Sequence, residues 1–300
     1  MALSLVHDSE FDLSLAHGGA ANPKTKHYYG FDPAAKFLMM TPGSTHVLSV
    51  ASGDPAGFSV EFDTVGIVSF LNPPDFAAGA SAGLNPGHRG TIPLSGDKAG
   101  KTNVILKDKA GKEVDRVEVS VVEAREVKVR FYNLVDNRNH QGVRLPDSDV
   151  AFQIPALRQL TDFVNRIVAW QCGVTLTQTG TGVLRNLSFA QDFGNSIDIN
   201  TLNVFSTGDR DDNAEFHVAF AWKIAGSHTN GVTKSNVCLL DASLAGQKRE
   251  MTLAHEFVHF LSGSGIIKNN DHDSNESDLL YKTAPHGIML RKDRLLTIRR

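Results

Sequence analysis

The sequence predicts an all-β sandwich followed by an α+β domain, and three observations predict it. Between Thr45 and Val122 the chain reads as six short alternating runs divided by Gly, Pro, Asn and Asp, with no helical stretch among them. From Glu126 the period changes, giving a strand, a long amphipathic helix, further strands and a second helix. A hydrophobic share of 41% over 300 residues is enough apolar material for two domains of about 150 residues each. The expected boundaries are a weakly structured arm over 1–40, the sandwich over 41–124 and the α+β domain over 125–300.

In the arm, HGGAANPKTK carries turn formers without sustained periodicity, and YYGFDP adds aromatics able to pack on a neighbour. The sandwich strands are THVLSVA, FSVEFD, GIVSFL, GTIPLS, TNVILKD and DRVEVSVV, separated by SGDPAG, NPPD, SGDKAG and DKAGK. In the last strand Val117, Val119 and Val121 alternate with Glu118 and Ser120, one face buried and one wet. EVKVRFYNLV then reads as a strand. The helix that follows carries Leu157, Leu160, Phe163, Val164, Ile167, Val168 and Trp170 at three- and four-residue spacing, with Gly173 as its C-cap. VTLTQTG, SIDINTLNVF, FHVAFAWKI and NVCLLD are strands, and REMTLAHEFVHFLSG is a helix stopped by Gly263 and Gly265.

Charge and composition exclude several classes. Thirty Lys and Arg against thirty-three Asp and Glu leave a net charge of −3. Residues 1–125 hold 11 basic and 14 acidic side chains, and 126–300 hold 19 of each, so neither half offers a nucleic acid an electrostatic footprint. No run of about 18 apolar residues exists to span a membrane. The N-terminal MALSLVHDSEFDLSLAHGG lacks a basic n-region and is broken by His7, Asp8 and Glu10, unlike a Sec signal peptide. The expectation is cytoplasmic residence or export by a route that needs no cleaved signal. Cys172 and Cys238 are two buried thiols or a single bridge, too few for a disulfide framework.

The chemistry lies in the second helix, at His255-Glu256-Phe257-Val258-His259. Residues i and i+4 project from one helix face, so both imidazoles reach a single Zn²⁺. Glu256, next to the first ligand, is placed to take a proton from a zinc-activated water as general base, which is what peptide-bond hydrolysis at neutral pH requires. With 12 His and 10 Glu in 300 residues, chance supplies about 0.016 such motifs, so composition alone does not account for it. Met251, Leu253, Ala254, Phe257, Val258 and Leu261 supply the apolar packing of this helix. A catalytic zinc needs a third protein ligand, and the following segment offers Asp271, His272, Asp273, Glu276 and His286.

TLAHEFVHFLSG, a glycine turn, DHD and then GIML together resemble the metzincin metallopeptidases over residues 126–300. The resemblance implies a zinc-dependent metalloendopeptidase of α+β fold with His272 as third ligand and Met289 in a methionine turn beneath the metal. It implies a protein or peptide substrate lying antiparallel along an edge strand, for which NVCLLD is the candidate. The compact family pattern HExxHxxGxxH would put the third ligand at Gly265, so His272 requires a seven-residue insertion. Glu276 in SNESD is the alternative, resembling the Glu-zincins. The stretch GTIPLSGDKAGKTNVILKDKAGKEVDRVEVSVVE resembles the closing half of bacterial immunoglobulin-like modules, which implies a spacer or a docking or delivery surface within residues 1–124.

Other signals point to less. Tyr281 is a candidate oxyanion donor or a core residue, and DRDDNAE (209–215) is a Ca²⁺-type oxygen cluster or a solvated loop. His140, His217 and His228 lack ligand spacing to any partner. Nucleophile-elbow, dinucleotide and P-loop motifs are absent. The functional expectation is a zinc metallopeptidase, with a secreted or delivered bacterial effector or toxin as one form of it. The alternative is a binding or adhesion protein with a structural or defunct zinc site.

Overall fold

The computed structural model describes residues 4–7, 11–12, 26–27, 30–51, 56–76, 88–135, 154–185, 213–221, 224, 230–242, 244, 246–263, 272, 278–281 and 290–298. The chain is mixed α+β, mostly sheet with few helices. It divides into two compact units, Met1–Arg125 with Trp170–Gly173 and Gly287–Thr297, and Glu126–Ala169 with Val174–His286 and Ile298–Arg300. Among the described residues no helix is long and apolar enough to cross a membrane.

The first unit is built on β1 (Ser4–His7), β2 (Phe11–Asp12), β3 (Lys26–His27), β4 (Phe31–Asp32), β5 (Phe37–Met40) and β6 (Thr45–Ala51). It continues with β7 (Ser59–Phe62), β8 (Val68–Phe70), β9 (His88–Gly96), β10 (Gly100–Lys107) and β11 (Glu113–Val121). They form one sheet in the order β1-β6-β9-β8, a second in the order β4-β5-β11-β10-β7, and the small pair β2-β3. Leu48, Val50, Ile92 and Leu94 from one sheet share an apolar cluster with Leu38, Met40, Val104, Leu106, Val117, Val119 and Val121 from the other. Each such side chain contributes about 1.5–3 kcal/mol by leaving water. All six runs read as strands are strands.

The arm differs from its expectation. Phe37–Met40 runs parallel to β11 with all four residues buried, and Ser4–His7 pairs antiparallel with β6. FLMM was unreadable as a strand because a strand covered on both faces has no alternation, and its partner lies some eighty residues away.

The second unit is built on β12 (Arg125–Val135), α1 (Ile154–Cys172), β13 (Val174–Arg185), β14 (Phe216–Ala221), β15 (Gly231–Lys234), β16 (Val237–Asp241) and α2 (Gln247–Leu261); α3 (Lys292–Ile298) follows in the chain and, up to Thr297, belongs to the first unit. The sheet order is β13-β12-β14-β16-β15, with β12, β14 and β16 mutually parallel and β15 antiparallel to β16. β14 is buried at all six positions, as an interior parallel strand covered on both faces must be. In α1 the stripe Leu157, Leu160, Phe163, Val164, Ile167 and Val168 is buried, whereas Trp170 is 57% exposed. Trp170 falls two residues after Val168 and so rotates off the stripe. Gly173 ends the helix at φ +67, the left-handed conformation expected of a C-cap glycine.

NVCLLD is not the edge strand. Val237–Asp241 lies between β14 and β15, and among the described residues the sheet ends on β15. The reason is local: GVTK is four residues long and too short to read as a strand, while Val237 to Leu240 is continuously apolar because it is interior. SIDINTLNVF lies outside the described residues. Cys172 and Cys238 are both buried and free, so the reading as two thiols stands.

Candidate metal centre

Helix α2 carries the first two candidate ligands and is buried all round where it carries them. Every residue from Met251 to His259 is inaccessible, including Thr252, His255, Glu256 and His259. On one side Phe257 and Phe260 meet Phe216 of β14 at ring-centroid distances of 5.6 and 4.7 Å. On another the Thr233 hydroxyl of β15 donates to the Glu256 carbonyl at 3.2 Å. Ser262 N–H donates back to the Val258 carbonyl, and Gly263 at φ +67 turns the chain away.

The two imidazoles face each other. His255 Nε2 and His259 Nε2 stand 3.0 Å apart with the rings at 74°. Tetrahedral zinc with Zn–N bonds of about 2.0–2.1 Å requires ligand nitrogens about 3.3 Å apart, so this pair is spaced to share an ion. His272, half-buried, stacks on His255 at 5.3 Å and meets His259 edge-on at 5.2 Å. The three residues offer one ligand nitrogen each, all within 4.8 Å of one another, and this group could hold a metal ion. His255 Nδ1 lies 2.8 Å from the Leu279 carbonyl. A carbonyl only accepts, so Nδ1 carries the proton and Nε2 keeps its lone pair toward the centre.

Glu256 follows from the same helix. It is 3% exposed, and its Oε2 has no hydrogen-bond partner among the described residues. Burial raises its carboxyl to about 7, opposed by the Thr233 hydroxyl, which lowers it. A buried carboxylate oxygen with idle lone pairs, one residue from a ligand, is suited to accept a proton. Burial likewise pushes up the Cys238 thiol, and the Glu256 charge adds to the effect.

Gly231 on β15 is what lets strand and carboxylate lie this close. A Cβ there would stand 2.7 Å from Thr252 Cγ2, 2.9 Å from Glu256 Cγ and 3.1 Å from Glu256 Oε1. Its backbone is not left-handed, so the requirement is for space rather than for conformation.

Of the expected site residues, the structure brings together His255, Glu256, His259 and His272. Asp271, Asp273, Glu276, His286 and Met289 lie outside the described residues, as do His140, His228 and most of DRDDNAE. Tyr281 is half-buried and closes a turn, its N–H donating to the Asp278 carbonyl. His217 is buried, its Nδ1 3.0 Å from the Tyr132 hydroxyl. Sequence reasoning missed Gly231, Thr233 and the Leu279 carbonyl. A lone glycine ahead of Val-Thr was a legible sign of close backbone approach, whereas a main-chain acceptor leaves no mark in sequence.

Comparisons with known proteins add no name to this geometry. No family model matches the chain. No curated protein matches it either. Among solved structures, the chain is similar to surface layer protein SbsC, domains 1–6, at 22% identity and a TM-score of 0.21, over 30% of this chain and 12% of that one. Domains 4–9 of the same protein match at 18% identity and a TM-score of 0.20, over 41% of this chain and 14% of that one. Domains 4 and 5 match at 21% and 0.18, over 29% and 46%. This chain thus spans less than half of each of those structures, and none of them bears on the chemistry of the site.

Proposed function

We propose that this protein is a zinc metalloendopeptidase of metzincin-like architecture, with His255, His259 and His272 as ligands and Glu256 as general base. The observation that carries this is the convergence of three histidines on one point beside a buried carboxylate with an unpartnered oxygen. The donor set supports zinc over calcium or magnesium, since three imidazoles suit a borderline ion and hard cations take oxygen. The sheet order ending on an antiparallel β15, with α2 following β16, supports the fold reading.

Zinc bound there would supply Lewis acidity, making a water acidic near neutral pH and polarising the scissile carbonyl. The chain's own residues do the rest. His255 and His259 bind through Nε2, and the Leu279 carbonyl orients the first ring. Glu256 accepts a proton at its carboxylate and returns it to the departing amine. The resemblance lays the substrate along the edge strand, which makes Gly231–Lys234 the strand that pairs with it. The first unit, read as an immunoglobulin-like module, supplies a spacer or docking surface; a secreted or delivered effector is the form of the enzyme this favours.

Glu256→Gln tests the mechanism. The variant keeps the metal, because the ligands are untouched, and loses nearly all cleavage of an unstructured protein such as casein. A variant as active as the parent would remove Glu256 from the mechanism. Full metal binding with no cleavage by the parent itself would favour a binding protein with a structural or defunct zinc site.

A further inference from the structure

The structure assigns a second set of residues to the metal centre. We propose that the buried turn Asp278–Tyr281 sets the tautomer of His255, with Asp278 as the positioning residue that holds the turn. The proposal rests on the metal-site reading above but not on peptidase activity.

The geometry runs in three steps. His255 is 4% exposed, so solvent does not choose its tautomer; the Leu279 carbonyl 2.8 Å from Nδ1 does. That carbonyl puts the proton on Nδ1 and leaves the lone pair on Nε2, the atom that faces His259 Nε2 at 3.0 Å. An imidazole carrying its proton on Nε2 cannot bind a cation there.

The Leu279 carbonyl is in turn fixed by its own turn. Tyr281 N–H donates to the Asp278 carbonyl at 3.1 Å, and Leu280 N–H donates to Asp278 Oδ1 at 2.8 Å. Asp278, Leu279 and Leu280 are 0%, 0% and 1% exposed. In an exposed loop water would satisfy the Leu280 N–H; here the Asp278 carboxylate accepts from it, as a side chain does in an Asx-turn. Asp278 therefore acts on His255 through the Leu279 carbonyl that its turn holds in place, as a positioning residue. The segment DLLY was legible only as a short apolar stretch, because this role belongs to the backbone it folds.

Two readouts test it, neither needing a substrate. The first is the His255 tautomer in metal-free protein, read from long-range ¹H–¹⁵N correlations of the ring nitrogens. The second is zinc affinity by competition with a chelating dye. The parent shows a single Nδ1–H tautomer for His255. Asp278→Asn keeps an acceptor at Oδ1, so it retains that tautomer and binds zinc within about threefold of the parent. Asp278→Ala removes the acceptor, mixes the tautomers and weakens zinc by about 10–100-fold, the usual cost of losing an outer-shell partner. If the alanine variant does not fold, Asp278→Ser, with a shorter and weaker acceptor, is read the same way, and its affinity falls below that of the asparagine variant.

Parent-like tautomer and affinity in the alanine or serine variant would overturn the proposal. So would equal losses in Asn and Ala, which would assign the effect to the carboxylate's charge. A parent that binds no zinc would sink the proposed function, while the tautomer measurement would still decide the role of the turn.

Discussion

Replacing Gly231 with alanine tests how β15 and the proposed general base, Glu256, are fitted together. The added Cβ would lie 2.7 Å from Thr252 Cγ2 and 2.9 Å from Glu256 Cγ, where ordinary contacts begin near 3.4 Å. Both neighbours are buried, and Thr252 is tied by its hydroxyl to the Lys248 carbonyl at 2.8 Å. Relief must therefore come from displacing the Glu256 side chain by about half an ångström or more, or from lifting β15 away from α2. Overpacking of this kind costs about 1–3 kcal/mol of stability. Moving a catalytic group by a fraction of an ångström to 1 Å costs on the order of 10–10² in turnover. The assay is kcat and KM on an unstructured protein or peptide, with zinc per chain measured on the same samples. We expect kcat to fall by about 10–10²-fold with zinc retained, because none of the three atoms nearest the added Cβ belongs to a histidine. The double variant Gly231→Ala/Thr252→Ser removes the closest of the three contacts, so it regains stability while kcat stays low. Parent-like kcat in the alanine variant would refute the claim that Glu256 works from this position.

Two further outcomes follow from the packing and charges. Phe257→Ala empties a fully buried ring site between α2 and β14 and lowers the stability of the second unit by about 3–5 kcal/mol in urea unfolding; a loss under 1 kcal/mol would mean the helix is seated elsewhere. Asp63, whose carboxylate accepts from the Asn103 side chain and main chain and from Thr102, is held at about 2 against an ordinary 3.8. A lowered carboxylate adds stability above pH 3.8 that is lost as pH falls through 2. Because Asp63 is exposed, solvent screening leaves about 1 kcal/mol of this, and Asp63→Ala should erase that part of the acid dependence of the first unit. An unchanged acid-unfolding profile would discount the Asp63 bonds.

Sequence and structure agree where one element explains itself. Strands β6 to β11 alternate because each has a core face and carries its own turn signals, and α2 was legible from a motif whose spacing is a helical turn. Legibility stops where an element is defined by what covers it. Phe37–Met40 and the first four residues of Val237–Asp241 are apolar throughout because they lie inside sheets, so period gave no face and one of them was assigned to the edge. The site divides in the same way. His255, Glu256 and His259 announce themselves by spacing on one helix, whereas the following loop offered five candidates and only the metzincin resemblance pointed to His272 among them. Gly231 is legible as a glycine but not in what it approaches, and Leu279 acts by a carbonyl common to all residues, so the folded backbone is needed to assign either its role.

The most direct test of the central claim, that His255, His259 and His272 hold a catalytic metal, is zinc per chain by elemental analysis on the parent and on His272→Ala, with casein cleavage followed in parallel. The account predicts one zinc per parent chain, strongly reduced in the variant, and cleavage that a chelator abolishes and added zinc restores. Equal zinc in both proteins would contradict it by moving the third ligand off His272, and a parent with neither zinc nor cleavage would contradict it altogether.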